Sequence, residues 1–180
     1  MEGGRVSIDE LKKHAEASLD YAIERIRETG DLMMMFHLVH SDGHLEIMFI
    51  DGPLTNDEDG KAQMARELKA RCRAGGIEAI IHVSDSFFAE NMSEEANRIR
   101  RAFRMTIEQC AAAGLCRLRE AVMVRLESPI YWLHMTQEYK RDGGKVELVG
   151  AIIRTDSLDG GPLGDGRFNG YWPEQPEARA

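Results

Sequence analysis

Apolar residues return at spacings of three and four through Ile8, Leu11, Ala15, Leu19, Ala22 and Ile26, one stripe of a helix that stops before Gly30. Ser7 stands where an N-cap belongs, Glu10 is placed to answer it in a capping box, and Val6 can staple onto Leu11. Helix one is therefore expected over 7–29. The rhythm then changes to strand-like runs over 32–40 and 44–51, joined by Ser41-Asp42-Gly43, whose Asp-Gly pair suits a tight hairpin. Gly52-Pro53 breaks the second run. The polar segment Thr55 to Asp59 supplies capping oxygens and negative charge for a second helix, which closes at Gly75-Gly76.

Ile77 to Val83 is apolar on both faces, as in a central strand, and is expected to end at Ser84-Asp85-Ser86. Ala96, Ile99, Phe103, Ile107 and Cys110 form the stripe of a third helix over 93–113, with Gly114 at its end. Three valine-, aromatic- and isoleucine-rich runs follow, over 121–127, 130–139 and 145–154. The order α-β-β-α-β-α-β-β-β reads as an α/β protein with a mixed sheet of about six strands and three helices. Two crossovers are long enough to set consecutive strands parallel. After Thr155 the pattern dissolves: residues 155–180 hold five glycines and three prolines. A single domain over 1–154 is thus expected to carry a tail, disordered or docked on a partner subunit. Phe168, Tyr171 and Trp172 are its anchoring groups, against its own domain or a second one.

Over 7–128 this order of elements resembles the layout of the cytidine-deaminase-like fold. The family's zinc chemistry would require His or Cys near 55–61 and 84–93, and the sequence has none there, so zinc deamination is not implied.

The 180 residues carry 23 basic and 31 acidic side chains, a net charge of −8, which argues against broad nucleic-acid binding. Three cysteines without a C-x-x-C pair suggest neither a disulfide framework nor a cysteine zinc site. With no apolar run of the roughly 18 residues that a membrane helix needs, no membrane association is expected and a cytoplasmic location fits best.

Two constellations carry chemistry. At the hairpin tip, a period of two that pairs His40 with His44 also sets Leu38 opposite Glu46. His40, His44 and Glu46 then share a face, and two imidazoles with a carboxylate could ligate a divalent metal; His37 points the other way. If the second, third and fourth strands run parallel, Asp51, Asp85 and Glu127 gather at one carboxyl edge, where carboxylates could hold magnesium or act as acid and base. Arg98, Arg100, Arg101 and Arg104 form a basic run, with Lys61, Arg66, Lys69, Arg71 and Arg73 giving the second helix a similar bias. Glu94 and Glu108 are spaced to neutralise Arg98 and Arg104 within the helix. The glycines of 160–166 lack the Lys-Ser/Thr of a phosphate loop.

These features lead to the expectation of a cytoplasmic, non-catalytic binding or interaction domain that self-associates as a homo-oligomer. The competing expectation is a divalent-metal-dependent hydrolase of phosphate esters using Asp51, Asp85 and Glu127.

Overall fold

In the computed structural model the described residues are 6–50, 58–158 and 171–172. Helix α1 (Ile8–Thr29) begins with the expected reciprocal box. The backbone N–H of Glu10 donates to Ser7 Oγ at 3.3 Å, and the Ser7 N–H donates to Glu10 Oε2 at 2.9 Å. It ends at Gly30, whose φ of 71° few side-chain-bearing residues would tolerate. Strands β1 (Met35–His40) and β2 (Leu45–Phe49) form the hairpin, followed by α2 (Glu58–Ala74) and β3 (Ile77–Glu90). Two short helices, α3 (Glu94–Phe103) and α4 (Ile107–Ala112), lead to β4 (Arg117–Glu127), β5 (Trp132–Asp142) and β6 (Lys145–Ser157).

The chain is a mixed α/β protein built on one six-stranded sheet of order β2-β1-β3-β4-β5-β6. Every neighbouring pair is antiparallel, so the parallel neighbours expected after the crossovers do not form. β2 and β3 do run the same way, but β1 is inserted between them. The connection through α3 and α4 returns the chain to pair beside β3 in the opposite sense.

Three boundaries also differ. The third helix breaks in two because Thr106 and Gln109 make a second capping box within it: Thr106 Oγ1 accepts from Gln109 N at 3.2 Å, while Thr106 N donates to Gln109 Oε1 at 2.9 Å. β3 continues past Ser84-Asp85-Ser86 to Glu90, since 84–90 pair with 117–123 of β4. β6 runs beyond 154 to Ser157, opposite Trp132.

Each face of the sheet buries its own core. On one, Leu11, Ala15, Leu19, Ala22 and Ile26 of α1 lie over Val39, Ile81, Val83, Val122, Val124 and Leu133. On the other, Leu68 and Cys72 of α2 meet Phe36, Leu38 and Ile80, and Tyr171 packs among them at 1% exposure. The tail thus returns to its own domain at Tyr171, with Trp172 edge-on beside it. Phe168 lies outside the described residues. None of the described helices is long and apolar enough to cross a membrane.

Candidate functional site

Beyond Glu120 and Tyr139 the sheet divides. β4 stays paired with β3 as far as Arg117, and β5 stays paired with β6 as far as Asp142, but β4 and β5 pair with each other only over 120–127 and 132–139. A hollow of about 400 Å³ opens between them, lined by Arg117, Arg119, Glu120, Glu138, Tyr139 and Arg141 among others. Two arginines occupy its opposite sides. Arg119 donates to both oxygens of Glu90, at 2.9 and 2.5 Å, and to Glu138. Arg141 donates through Nε to Glu120 at 3.0 Å and through Nη2 to Tyr139 Oη at 2.9 Å, and reaches the Gly30 carbonyl at the end of α1.

Tyr139 passes the chain on, its hydroxyl donating to Asp85 Oδ1 at 2.7 Å. Burial pushes the Asp85 carboxyl above its ordinary value, against the opposing pull of Tyr139 and Arg141. Burial and the bond to Asp85 together raise the Tyr139 phenol well above its usual range. A phenol so held is a poor proton donor near neutrality. The network fixes the mouth of the hollow and joins β3, β4, β5 and α1.

Asp85 and Glu127, expected at one edge, are not brought together. Glu127 pairs with Ile80 and Asp85 with Val122, so five positions, about 17 Å at ~3.3 Å each, separate them along the sheet. They also face opposite ways, Asp85 toward the α1 core and Glu127 toward the α2 core, where its Oε1 accepts from Tyr171 N at 2.9 Å. The antiparallel return of β4 is the cause. Asp51 lies outside the described residues.

The hairpin cluster does form in the expected register, with Leu38 opposite Glu46. The His40 and His44 rings are 5.6 Å apart, and His40 Nε2 is 3.1 Å from Glu46 Oε2. What the sequence did not reveal is Arg71 of α2, which donates to Glu46 at 3.1 and 2.7 Å and holds that carboxyl below its usual range. A bidentate guanidinium thus occupies the oxygens a metal would take. Among the described residues no three His, Cys, Asp or Glu side chains are grouped to hold a metal ion.

A polar row on the α2 face also escaped sequence reasoning, because each member sits inside an apolar strand. His82, Arg125 and His134 are consecutive cross-strand partners on β3, β4 and β5. His82 stacks on Phe36 at 4.7 Å, and burial with the neighbouring Arg125 charge lowers its pKa to about 3. Burial, with Glu127 and Arg71 acting in opposite directions, pushes the Cys72 thiol up to about 12, so Cys72 is a packing residue and not a nucleophile. On the α1 face His37, 5% exposed, makes a 2.8 Å hydrogen bond through Nδ1 with Ser18 Oγ.

The basic run on α3 and its C-cap lacks the expected intrahelical partners. Among the described residues none of Arg98, Arg100, Arg101 and Arg104 is in an ion pair, and the intrahelical pairing expected with Glu94 and Glu108 is absent. The break between α3 and α4 takes Arg104 off the helix and out of step with Glu108. The chain matches no protein-family model, and no curated protein or solved structure matches it significantly, so geometry alone carries the functional argument.

Proposed function

We propose that this chain is a non-catalytic interaction domain of the cytoplasm that self-associates through the outer edge of β6. The observation that carries the proposal is the state of that edge. β6 ends the sheet and is thirteen residues long, and no described strand pairs with its outer side. Residues 150–156 are all exposed, including Ile152 and Ile153 at 47% and 66%. Sheet proteins blunt such an edge with proline, shortness, charge, a bulge or a covering element; β6 is long and has no proline, and its charges Lys145, Glu147, Arg154 and Asp156 alternate in sign along the strand.

A second copy fits the edge by symmetry. The irregularity opposite Thr136 to Glu138 falls at 150–152 and leaves regular stretches 145–149 and 153–157 on either side. Antiparallel pairing about a two-fold at Ala151 sets each stretch against the other copy's opposite stretch. Val149 then meets Ile153 twice, and no like charges stand opposite one another. Three unpaired cysteines support the cytoplasmic part of the reading.

Light scattering tests it. Val149→Lys combined with Ile153→Lys puts ammonium groups where the apolar pairs would meet, and the variant is expected to have half the mass of the wild type. Equal masses, or a wild type that is monomeric at high concentration, would overturn the proposal.

A further inference from the structure

Helix α3 leaves the body of the protein as it proceeds. Along its apolar stripe, Ala96 is 4% exposed, Ile99 is half-buried and Phe103 is 75% exposed. Among the described elements the helix has no extensive contact with any strand. It is bracketed by Asn91 and Arg104, with φ of 59° and 51°, the non-glycine residues with left-handed backbone among those described. Asn tolerates that conformation, whereas for Arg it is strained. The strained turn holds Phe103 in water with Arg100 one helical turn before it and Arg104 beside it.

The same chain carries a surface of complementary chemistry. On the outer side of α1, Asp20, Glu24 and Glu28 follow at intervals of four and, with Ile23 and Arg27, line a hollow of about 500 Å³. Like charges at this spacing weaken a helix unless a partner offsets them. Among the described residues none of the three carboxylates is in an ion pair. Half-buried Ile23 gives the hollow an apolar floor. The three carboxylates outnumber Arg27, so the hollow is net negative with an apolar floor, a chemistry complementary to an aromatic ring flanked by guanidinium groups.

We infer that the tip of α3, Phe103 with Arg100 and Arg104, docks into the acidic hollow of α1 on a second copy of this chain. Both surfaces lie at the same end of the sheet: the last turn of α1 is tied through Gly30 to Arg141, and Arg141 to Glu120, three residues from the start of β4 where the chain arrives from α4. Two copies related by a two-fold can therefore exchange tips, and the contact closes on itself. It is independent of the β6 edge.

The test uses full-length chains in the Val149→Lys/Ile153→Lys background, which removes the β6 contact, and reads mass by light scattering at low salt. The background chain is expected to be dimeric. Phe103→Ser, at an exposed position, should reduce it to monomer, as should Arg100→Glu/Arg104→Glu and Glu24→Arg/Glu28→Arg, each on its own. Mixing the last two variants in equal amounts should restore the dimer, because acidic tip then meets basic hollow and basic tip meets acidic hollow. Added salt should dissociate the charge-matched dimers. A monomeric background chain, unchanged masses, or a mixture that stays monomeric would overturn the inference. So would a labelled single-stranded oligonucleotide that binds the background chain and is lost with Arg100→Glu/Arg104→Glu while the mass is unaffected. If the β6 proposal alone fails, the Lys variants keep the wild-type mass while the tip variants still halve it.

Discussion

Tyr139 reaches across β4 to give its hydroxyl hydrogen to Asp85 at 2.7 Å, joining two strands that do not pair with each other. Tyr139 is 2% exposed, and the same phenol oxygen accepts from Arg141 at 2.9 Å. Tyr139→Phe keeps the ring and removes both bonds, leaving the half-buried Asp85 carboxylate with only the longer 3.4 Å contact from Arg141. A loss of about 1–3 kcal/mol is expected, measured by urea unfolding at neutral pH.

Asp85 also sets a pH dependence. Its folded pKa lies above the ordinary 3.8, so the folded state binds its proton more tightly than the unfolded state does. Its contribution is present below pH 3.8 and is lost as pH rises through the folded value. Asp85→Asn should flatten the stability curve over that window relative to the wild type. A curve with the same slope in both proteins would show that Asp85 titrates as it does in the unfolded chain.

His82 acts in the opposite sense. Burial and Arg125 lower its pKa from 6.5 to about 3, so unfolding takes up a proton between those values and stability falls as the solution is acidified through that window. Burial lowers His37 and His134 as well, so they add to the effect. His82→Gln loses the stacking on Phe36 at every pH, whereas the change in slope is confined to the acid range. The variant is expected to take up about one proton fewer on unfolding, read from stability against pH between the two values.

What could be read in the chain was mostly local. The Ser7–Glu10 box and the hairpin register of His40, His44 and Glu46 follow from residues within six positions of one another. The Thr106–Gln109 box has the same signature, but the stripe from Ala96 to Cys110 runs through it with unbroken helical spacing, and the stripe misled. The direction of β4 was not legible, because a crossover long enough for a parallel neighbour also permits an antiparallel return. Arg71 with Glu46 is separated by 25 residues and Tyr139 with Asp85 by 54, and no periodicity links groups so far apart.

The break in the third helix is a separable feature. Thr106→Ala removes the cap of α4 and should cost about 1 kcal/mol. Arg104→Gly relieves the left-handed strain at φ 51° and should stabilise by roughly 0.5–1 kcal/mol, provided the turn itself persists. Opposite signs from neighbouring positions, measured in the same denaturant titration, would locate the strain in the turn. Two losses of equal size would instead mean that the Arg104 side chain stabilises the fold more than its backbone strains it.

Tyr171 decides whether the tail belongs to the fold. Its ring is among the largest fully buried side chains, in the core formed by Phe36, Leu38, Leu68 and Ile80, and its backbone N–H is held by the buried carboxylate of Glu127. Burial, with Glu127 and Cys72 close by, drives the phenol far above its ordinary pKa. Tyr171→Ala would open a ring-sized space over β1 and β3 and leave Glu127 beside it, at an expected cost of about 3–5 kcal/mol. Tyr171→Phe separates the contributions: the hydroxyl oxygen has no hydrogen-bond partner among the described residues, so its removal should change stability little or raise it. Thermal melts of the two variants give the outcome directly. A large loss in Tyr171→Ala with none in Tyr171→Phe makes residue 171 part of the second core, while two wild-type melts would return the tail to solvent or to a partner subunit.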